Sequence, residues 1–124
     1  MLTKLEILEE TFKYYNEDVN RRAVKEEGGC EYLSKDGRMC AFGRCMINPG
    51  IKEDPETGFT ENCYISYIKK NVDSLLKEEY RGHETSFWKD IQSFHDNHHN
   101  WGKDGITFLG KIVFQDLKAR WSNK

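Results

Sequence analysis

The sequence predicts an α+β fold: a short antiparallel hairpin covered by about four helices, in one compact domain spanning residues 1–124. Three observations carry this prediction. Apolar residues recur at helical spacing near the N-terminus and again through the second half of the chain. Strand-forming residues alternate around a polar turn between 30 and 47, and 124 residues suit one hydrophobic core rather than two.

The first element is a helix over 3–15. It opens with a capping box, in which the Thr3 hydroxyl accepts from the Glu6 N–H while Glu6 reaches back, and Leu2 can pack on Ile7. Leu5, Leu8, Phe12 and Tyr15 mark its buried stripe. Residues 16–29 have no clean period and read as loop, with one helical turn at 21–25 before Gly28 and Gly29.

The run "CEYLSKDGRMCAFGRCMI" is the strongest strand signal, two short strands around a turn at Lys35, Asp36 and Gly37. That register sets Ser34 opposite Arg38, Tyr32 opposite Cys40 and Cys30 opposite Phe42. The last four side chains share one face, expected to be the core side, with Glu31, Met39 and Ala41 on the other. Gly43 inside a strand implies a bulge or the close approach of another backbone or a ligand.

Residues 48–62 hold both prolines and read as a long surface loop. Beyond them the pattern is helical. Ile65, Ile68, Val72, Leu75 and Leu76 form one stripe, and Phe87, Ile91 and Phe94 a second, flanked by Trp88 and His95. Ile106, Leu109, Val113, Leu117 and Trp121 form a third. Between the last two helices "NWGKDG" supplies Gly102 as a C-terminal cap and Asp104 as an N-cap.

Composition narrows the function classes. Seven Phe, six Tyr and three Trp give a ring-rich core despite an apolar fraction of 37%. A formal net charge of -2 argues against extended coating of nucleic acid. No apolar run approaches the roughly 20 residues that span a bilayer, and the acidic, amphipathic N-terminus does not read as a signal peptide. The expectation is a soluble, non-exported protein without membrane contact, whose four cysteines are thiols. Their spacing contains no C-x-x-C knuckle, and no P-loop, dinucleotide glycine pattern or Ser-His-Asp order occurs, so no cofactor is expected.

Two clusters bear chemistry. "FHDNHHNW" places His95 and His99 at i, i+4, the spacing with which two imidazoles grip one metal ion on a helix. A third ligand would come from Asp96, His83 or a hairpin cysteine. The other reading makes His98 and His99 a polar last helical turn, favoured there by the helix dipole, and His95 a partly buried, hydrogen-bonded contact between helix and hairpin. The second cluster is cationic: Arg21 and Arg22 on the loop, with Arg38 and Arg44 on the hairpin, could form a cradle for carboxylate or phosphate. Surface pairing of these arginines with nearby glutamates is the alternative.

The order "CEYL…DGRMCAFGR" followed by "IQSFHD" and a tryptophan resembles a group of small phage- and prophage-encoded proteins. They carry a Cys-x-Tyr strand, a DG turn, a Cys-Ala-x-Gly-Arg strand and a later Gln-x-x-His-Asp helix. The resemblance spans about residues 20–101 and singles out Cys30, Tyr32, Cys40, Gly43, Arg44, His95 and Asp96. It implies a viral or mobile-element accessory protein working in a bacterial cytoplasm. The leading expectation is therefore a non-enzymatic accessory protein that binds a host protein or a small anionic ligand and so modulates the host or its anti-phage defence. Its ligand-binding residues would be Arg21, Arg22, Tyr32, Arg38, Gly43, Arg44, His95 and Asp96. The alternatives are a small metal-dependent nuclease or phosphohydrolase using His95, Asp96 and His99, and a zinc-stabilised module using Cys30, Cys40 and a histidine. A homodimer through an exposed ring of Trp101 or Trp121 is left open.

Overall fold

The computed structural model describes residues 1–24, 31–50, 53–54, 59–60, 65 and 71–122. Three α-helices dominate: α1 (Lys4–Glu17), α2 (Thr85–Asp96) and α3 (Phe108–Trp121). Two short antiparallel hairpins complete the α+β arrangement. One joins β1 (Glu53–Asp54) to β2 (Phe59–Thr60), and the other joins β3 (Trp101–Gly102) to β4 (Gly105–Ile106).

The capping box at the head of α1 forms as the sequence demands. The Glu6 amide donates to the Thr3 hydroxyl at 3.1 Å, and the Thr3 amide donates to the Glu6 carboxylate at 2.9 Å. Ile7, Leu8, Thr11 and Tyr15 face the core, while Leu5 and Phe12 flank it. The buried stripe is thus rotated slightly from the expected one, because the small Thr11 returns its hydroxyl to the Ile7 carbonyl at 2.8 Å and can be buried whole.

The 30–47 hairpin has the expected register and less than the expected length. Ser34 N–H donates to the Arg38 carbonyl at 2.8 Å, and Leu33 pairs with Met39. After Cys40 the chain leaves the strand and turns through Ala41 and Phe42 into a 3-10 turn at Gly43–Cys45. Arg44 N–H bonds the Cys40 carbonyl at 2.9 Å, and the Phe42 amide takes the Gln92 side chain as acceptor at 3.0 Å. Local turn bonds and a helix side chain thereby replace the ladder. Ala41, expected on the outer face, is fully buried in consequence. The Cys30–Phe42 pairing and residues 25–29 of the loop lie outside the described residues; the helical turn among the described loop residues is a 3-10 turn at Val19–Arg21. Of the Ile65–Leu76 stripe, Ile68 also lies outside them. Val72–Leu75 is a 3-10 turn, and among the described residues there are three α-helices where about four are expected.

The 101–106 segment is a hairpin, where two helix caps are expected. Trp101 pairs with Ile106 and Gly102 with Gly105, around a turn at Lys103 and Asp104. Gly105 takes φ +130, and a Cβ there would meet Asn16 Oδ1 at 2.6 Å. Asn16 Oδ1 accepts instead from the Ile106 amide at 2.9 Å, tying this hairpin to α1. The N-cap of α3 is Thr107, whose hydroxyl accepts from Gly110 N–H, and the C-cap of α2 is Asn97.

Gly110 also sets how α3 rolls. A Cβ there would stand 2.3 Å from the Asn100 carbonyl oxygen, so the helix backbone lies directly against that turn. Gly110, Phe114, Leu117 and Trp121 form the buried face, and Leu109, expected inside, is 49% exposed. Rings fill the centre: Phe42 against Trp88, Phe87 against Trp121 and Phe94 against Trp101 at 5.1–5.5 Å between centroids. All three tryptophans are buried, so none presents the exposed ring considered for a dimer contact. Among the described residues no helix is long and apolar enough to cross a membrane.

Candidate functional site

The site is organised by the C-terminal end of α2. The last carbonyls of a helix lack intrahelical donors and carry the negative end of its dipole. Arg22 satisfies two of them, Nε donating to the His95 carbonyl at 2.8 Å and Nη2 to that of Asp96 at 3.2 Å. The preceding 3-10 turn, capped by Asp18 on the Asn20 amide, delivers Arg22 to this position. Burial lowers the Arg22 pKa, opposed by the Asp96 carboxylate, and the guanidinium lies 5.7 Å from the centroid of the Trp101 ring.

A chain of polar contacts runs from α2 back to the hairpin. His95 Nδ1 lies 2.6 Å from Asp96 Oδ1, which also accepts from Gln92 Nε2 at 2.8 Å; Gln92 Oε1 then holds the Phe42 amide. His95 is wholly buried, its ring set edge-on to Tyr15, and the Tyr15 hydroxyl donates to the Met39 carbonyl at 2.6 Å. Asp96 fixes the proton on Nδ1. His95 Nε2 is buried and has no hydrogen-bond partner among the described residues. Burial lowers the His95 pKa despite the adjoining carboxylate, and burial pushes the Cys40 and Cys45 thiols up to about 12. These groups form a buried base for the site, in which burial disfavours the charged forms of His95, Cys40 and Cys45.

Above that base lies a cavity of about 330 Å³. Arg22, Arg38 and Lys103 line it, with Asn20, Trp101 and the two valines Val19 and Val24 among its other walls. Arg38 is held in place through Nε by Asp36, at 2.9 and 3.0 Å, and through Nη1 by the Arg22 carbonyl at 3.1 Å. Hydrogen bonds from Ser34 and Arg38 hold the Asp36 pKa at about 2. No carboxylate lines the cavity among the described residues. No family model, curated protein or solved structure matches the chain.

The expected arginine cluster divides into two. Arg22 and Arg38 meet at the cavity, whereas Arg21 and Arg44 approach the ring of Tyr14, at 4.6 and 5.3 Å from its centroid. Arg21 pairs with Glu17, and Arg44 with Glu10 at 2.6 Å, where the Tyr80 hydroxyl also donates to Glu10. Burial works to raise the Glu10 carboxyl, and these hydrogen bonds outweigh it, leaving its pKa lowered. Tyr32 and Gly43 are buried together, for a Cβ on Gly43 would lie 2.1 Å from the Tyr32 carbonyl oxygen. The close backbone approach expected at this glycine is therefore present.

The helical His95/His99 pairing is not realised. The helix stops at Asp96, leaving His99 exposed on the following 3-10 turn with its ring against His98, while His95 is wholly buried. Among the described residues no three of His, Cys, Asp and Glu gather as a metal site. Cys30, required by the zinc-module alternative, lies outside the described residues. Sequence reasoning missed Asn20, Gln92, Trp101 and Lys103. Gln92 carried a usable signal, standing four residues before Asp96 on one helix face; the other three come together only through the tertiary fold.

Proposed function

We propose that the protein is a non-enzymatic accessory protein of the phage type, working in a bacterial cytoplasm, that binds a small anionic ligand between Arg22, Arg38 and Lys103. One observation carries the reading: three cationic side chains border a single cavity that no carboxylate lines among the described residues. Phosphate and carboxylate groups suit such a set, because guanidinium N–H groups donate to paired oxygens. Arg22 is preorganised by its two carbonyl bonds, and its Nη1 makes no hydrogen bond among the described residues. Val19 and Val24 favour a ligand with an apolar or ring-bearing body, and the volume sits at the small end of ligand pockets, which begin at about 300 Å³.

Titration of the labelled protein with inorganic phosphate and with adenosine monophosphate, followed by amide NMR, tests this reading. It predicts saturable shifts at Asn20, Arg38, Gly102 and Lys103, stronger for the nucleotide and weakened by salt. Arg38→Ala and Lys103→Ala should each cost about tenfold in affinity, roughly 1.4 kcal/mol. Absence of shifts at those amides up to millimolar ligand, or shifts insensitive to both variants, refutes the proposal. The binding of a host protein through this face instead would appear as retained binding with no response to either small anion.

The second reading, a small metal-dependent nuclease or phosphohydrolase using His95, Asp96 and His99, draws on the His95–Asp96 hydrogen bond, which leaves the buried Nε2 as the imidazole nitrogen without a hydrogen bond among the described residues. It predicts metal-dependent turnover of nucleic acid or phosphoester that His95→Ala abolishes. Elemental analysis free of metal, with no turnover in added zinc or manganese, eliminates it.

A further inference from the structure

A second cavity, of about 260 Å³, lies between α2 and α3, and its chemistry is opposite to that of the first. Asp90, Asp116 and Arg120 line it, two carboxylates against one guanidinium, with Phe94, Val113 and Leu117 supplying apolar wall. Arg120 is already committed to Asp90 at 2.8 Å, and Trp121 Nε1 donates to the same oxygen at 3.0 Å. Asp116 makes no hydrogen bond or ion pair among the described residues. The cavity is thus one positive charge short of balance.

Asn100 supplies an independent indication. It lines this cavity, is 1% exposed, and donates through Nδ2 to the Phe94 carbonyl at 3.0 Å. Its Oδ1 is buried and makes no hydrogen bond among the described residues. Natively buried acceptors are rarely left so, and Asn100 stands in the wall that an N–H donor in the cavity would approach. A donor that also carries positive charge suits both this wall and Asp116.

The surroundings indicate where that donor comes from. Phe108, Leu109 and Ile112 are 82, 49 and 45% exposed on the first turns of α3. Leu109, Val113, Asp116 and Arg120 follow one another along one side of the helix, so the apolar strip leads directly to the carboxylate. A free amine would leave the strip uncovered, whereas exposed apolar residues beside a charged pocket suit a protein surface. We propose that this face of α2 and α3 docks a partner protein through a lysine or arginine flanked by apolar side chains, the basic group entering the Asp116–Asn100 cavity. The proposal is independent of the anion pocket.

The peptides acetyl-Leu-Arg-Leu-amide and acetyl-Leu-Gln-Leu-amide, titrated into the full chain and followed by amide NMR, test it. The arginine peptide should shift Ser93, Asn97, Val113 and Asp116 saturably and bind at least tenfold more tightly than the glutamine peptide. Asp116→Asn, an exposed change that leaves the core intact, should erase that preference, and Ile112→Ser should weaken the arginine peptide. Equal response to both peptides, no response at millimolar concentration, or shifts of the same amides on concentrating the protein alone would overturn it; the last result would assign the strip to a second copy.

Discussion

Replacing Gly43 with alanine probes the junction between the Gly43–Cys45 turn and the segment bearing Tyr32. The added Cβ would meet Tyr32 O at 2.1 Å and Tyr32 C at 2.8 Å, both backbone atoms, so no side-chain rotation can relieve the clash. Relief requires the 3-10 turn and the strand bearing Tyr32 to part by about 1 Å, in a region where Tyr32, Cys40 and Phe42 are at most 2% exposed. Overpacking of a close-packed interior costs about 1–3 kcal/mol when side chains can adjust; with two backbones opposed, about 3 kcal/mol is expected. For a domain of this size that corresponds to a fall of roughly 10 °C or more in Tm. Gly50→Ala is the internal control, because its nearest neighbour is a flexible Leu33 methyl at 3.4 Å. Thermal melts and urea titrations of both variants check the magnitude. A Gly43→Ala protein melting within about 2 °C of the parent would refute the close approach and the placement of the turn that follows from it.

Other perturbations follow from the same geometry. His95 has a lowered pKa in the folded protein because burial disfavours its charged form, so its contribution to stability is complete above the unfolded value of 6.5 and is lost as pH falls below it. Between pH 7.5 and 5.5 the parent should lose up to about 1.4 kcal/mol more than His95→Asn in urea unfolding, and parallel curves would contradict this. Arg22→Met removes both donors to the end of α2 and should destabilise by about 2–3 kcal/mol while hydrogen exchange quickens at Asn97 and Asn100; an unchanged urea midpoint would argue against the capping role. In a Cys30→Ser, Cys63→Ser background, Cys40 and Cys45 should resist a thiol reagent at pH 8 until the protein unfolds, since burial holds both near 12; rapid labelling of the native protein would show that they are accessible.

Local rules were read well wherever the decisive partner was close in sequence. The Thr3–Glu6 capping box, the Ser34–Arg38 register and the turn at Gly37 depend on residues within a few positions of one another. Gly43 inside an expected strand signalled a bulge or the close approach of a backbone or ligand, but not which of these, nor that the partner is the Tyr32 carbonyl. Where tertiary contact decides, pattern misled. "WGKDG" has the residues of a helix stop and restart, but Gly102 and Gly105 serve a two-residue hairpin that Asn16 of α1 secures. Leu109 lies outside because Gly110 brings the α3 backbone onto Asn100, an event that helical periodicity does not encode. The four arginines could be named from sequence, but not their division between Trp101 and Tyr14, which depends on how α1 packs against the 30–47 and 101–106 segments.

The claim that Arg22, Arg38 and Lys103 form an anion site is tested most directly by crystallising the protein with selenate and measuring anomalous scattering. The account predicts a selenium peak inside the cavity within hydrogen-bonding reach of Arg22 and Arg38, lost in the Arg38→Ala crystal. An empty cavity beside peaks scattered over other surface lysines and arginines would contradict it.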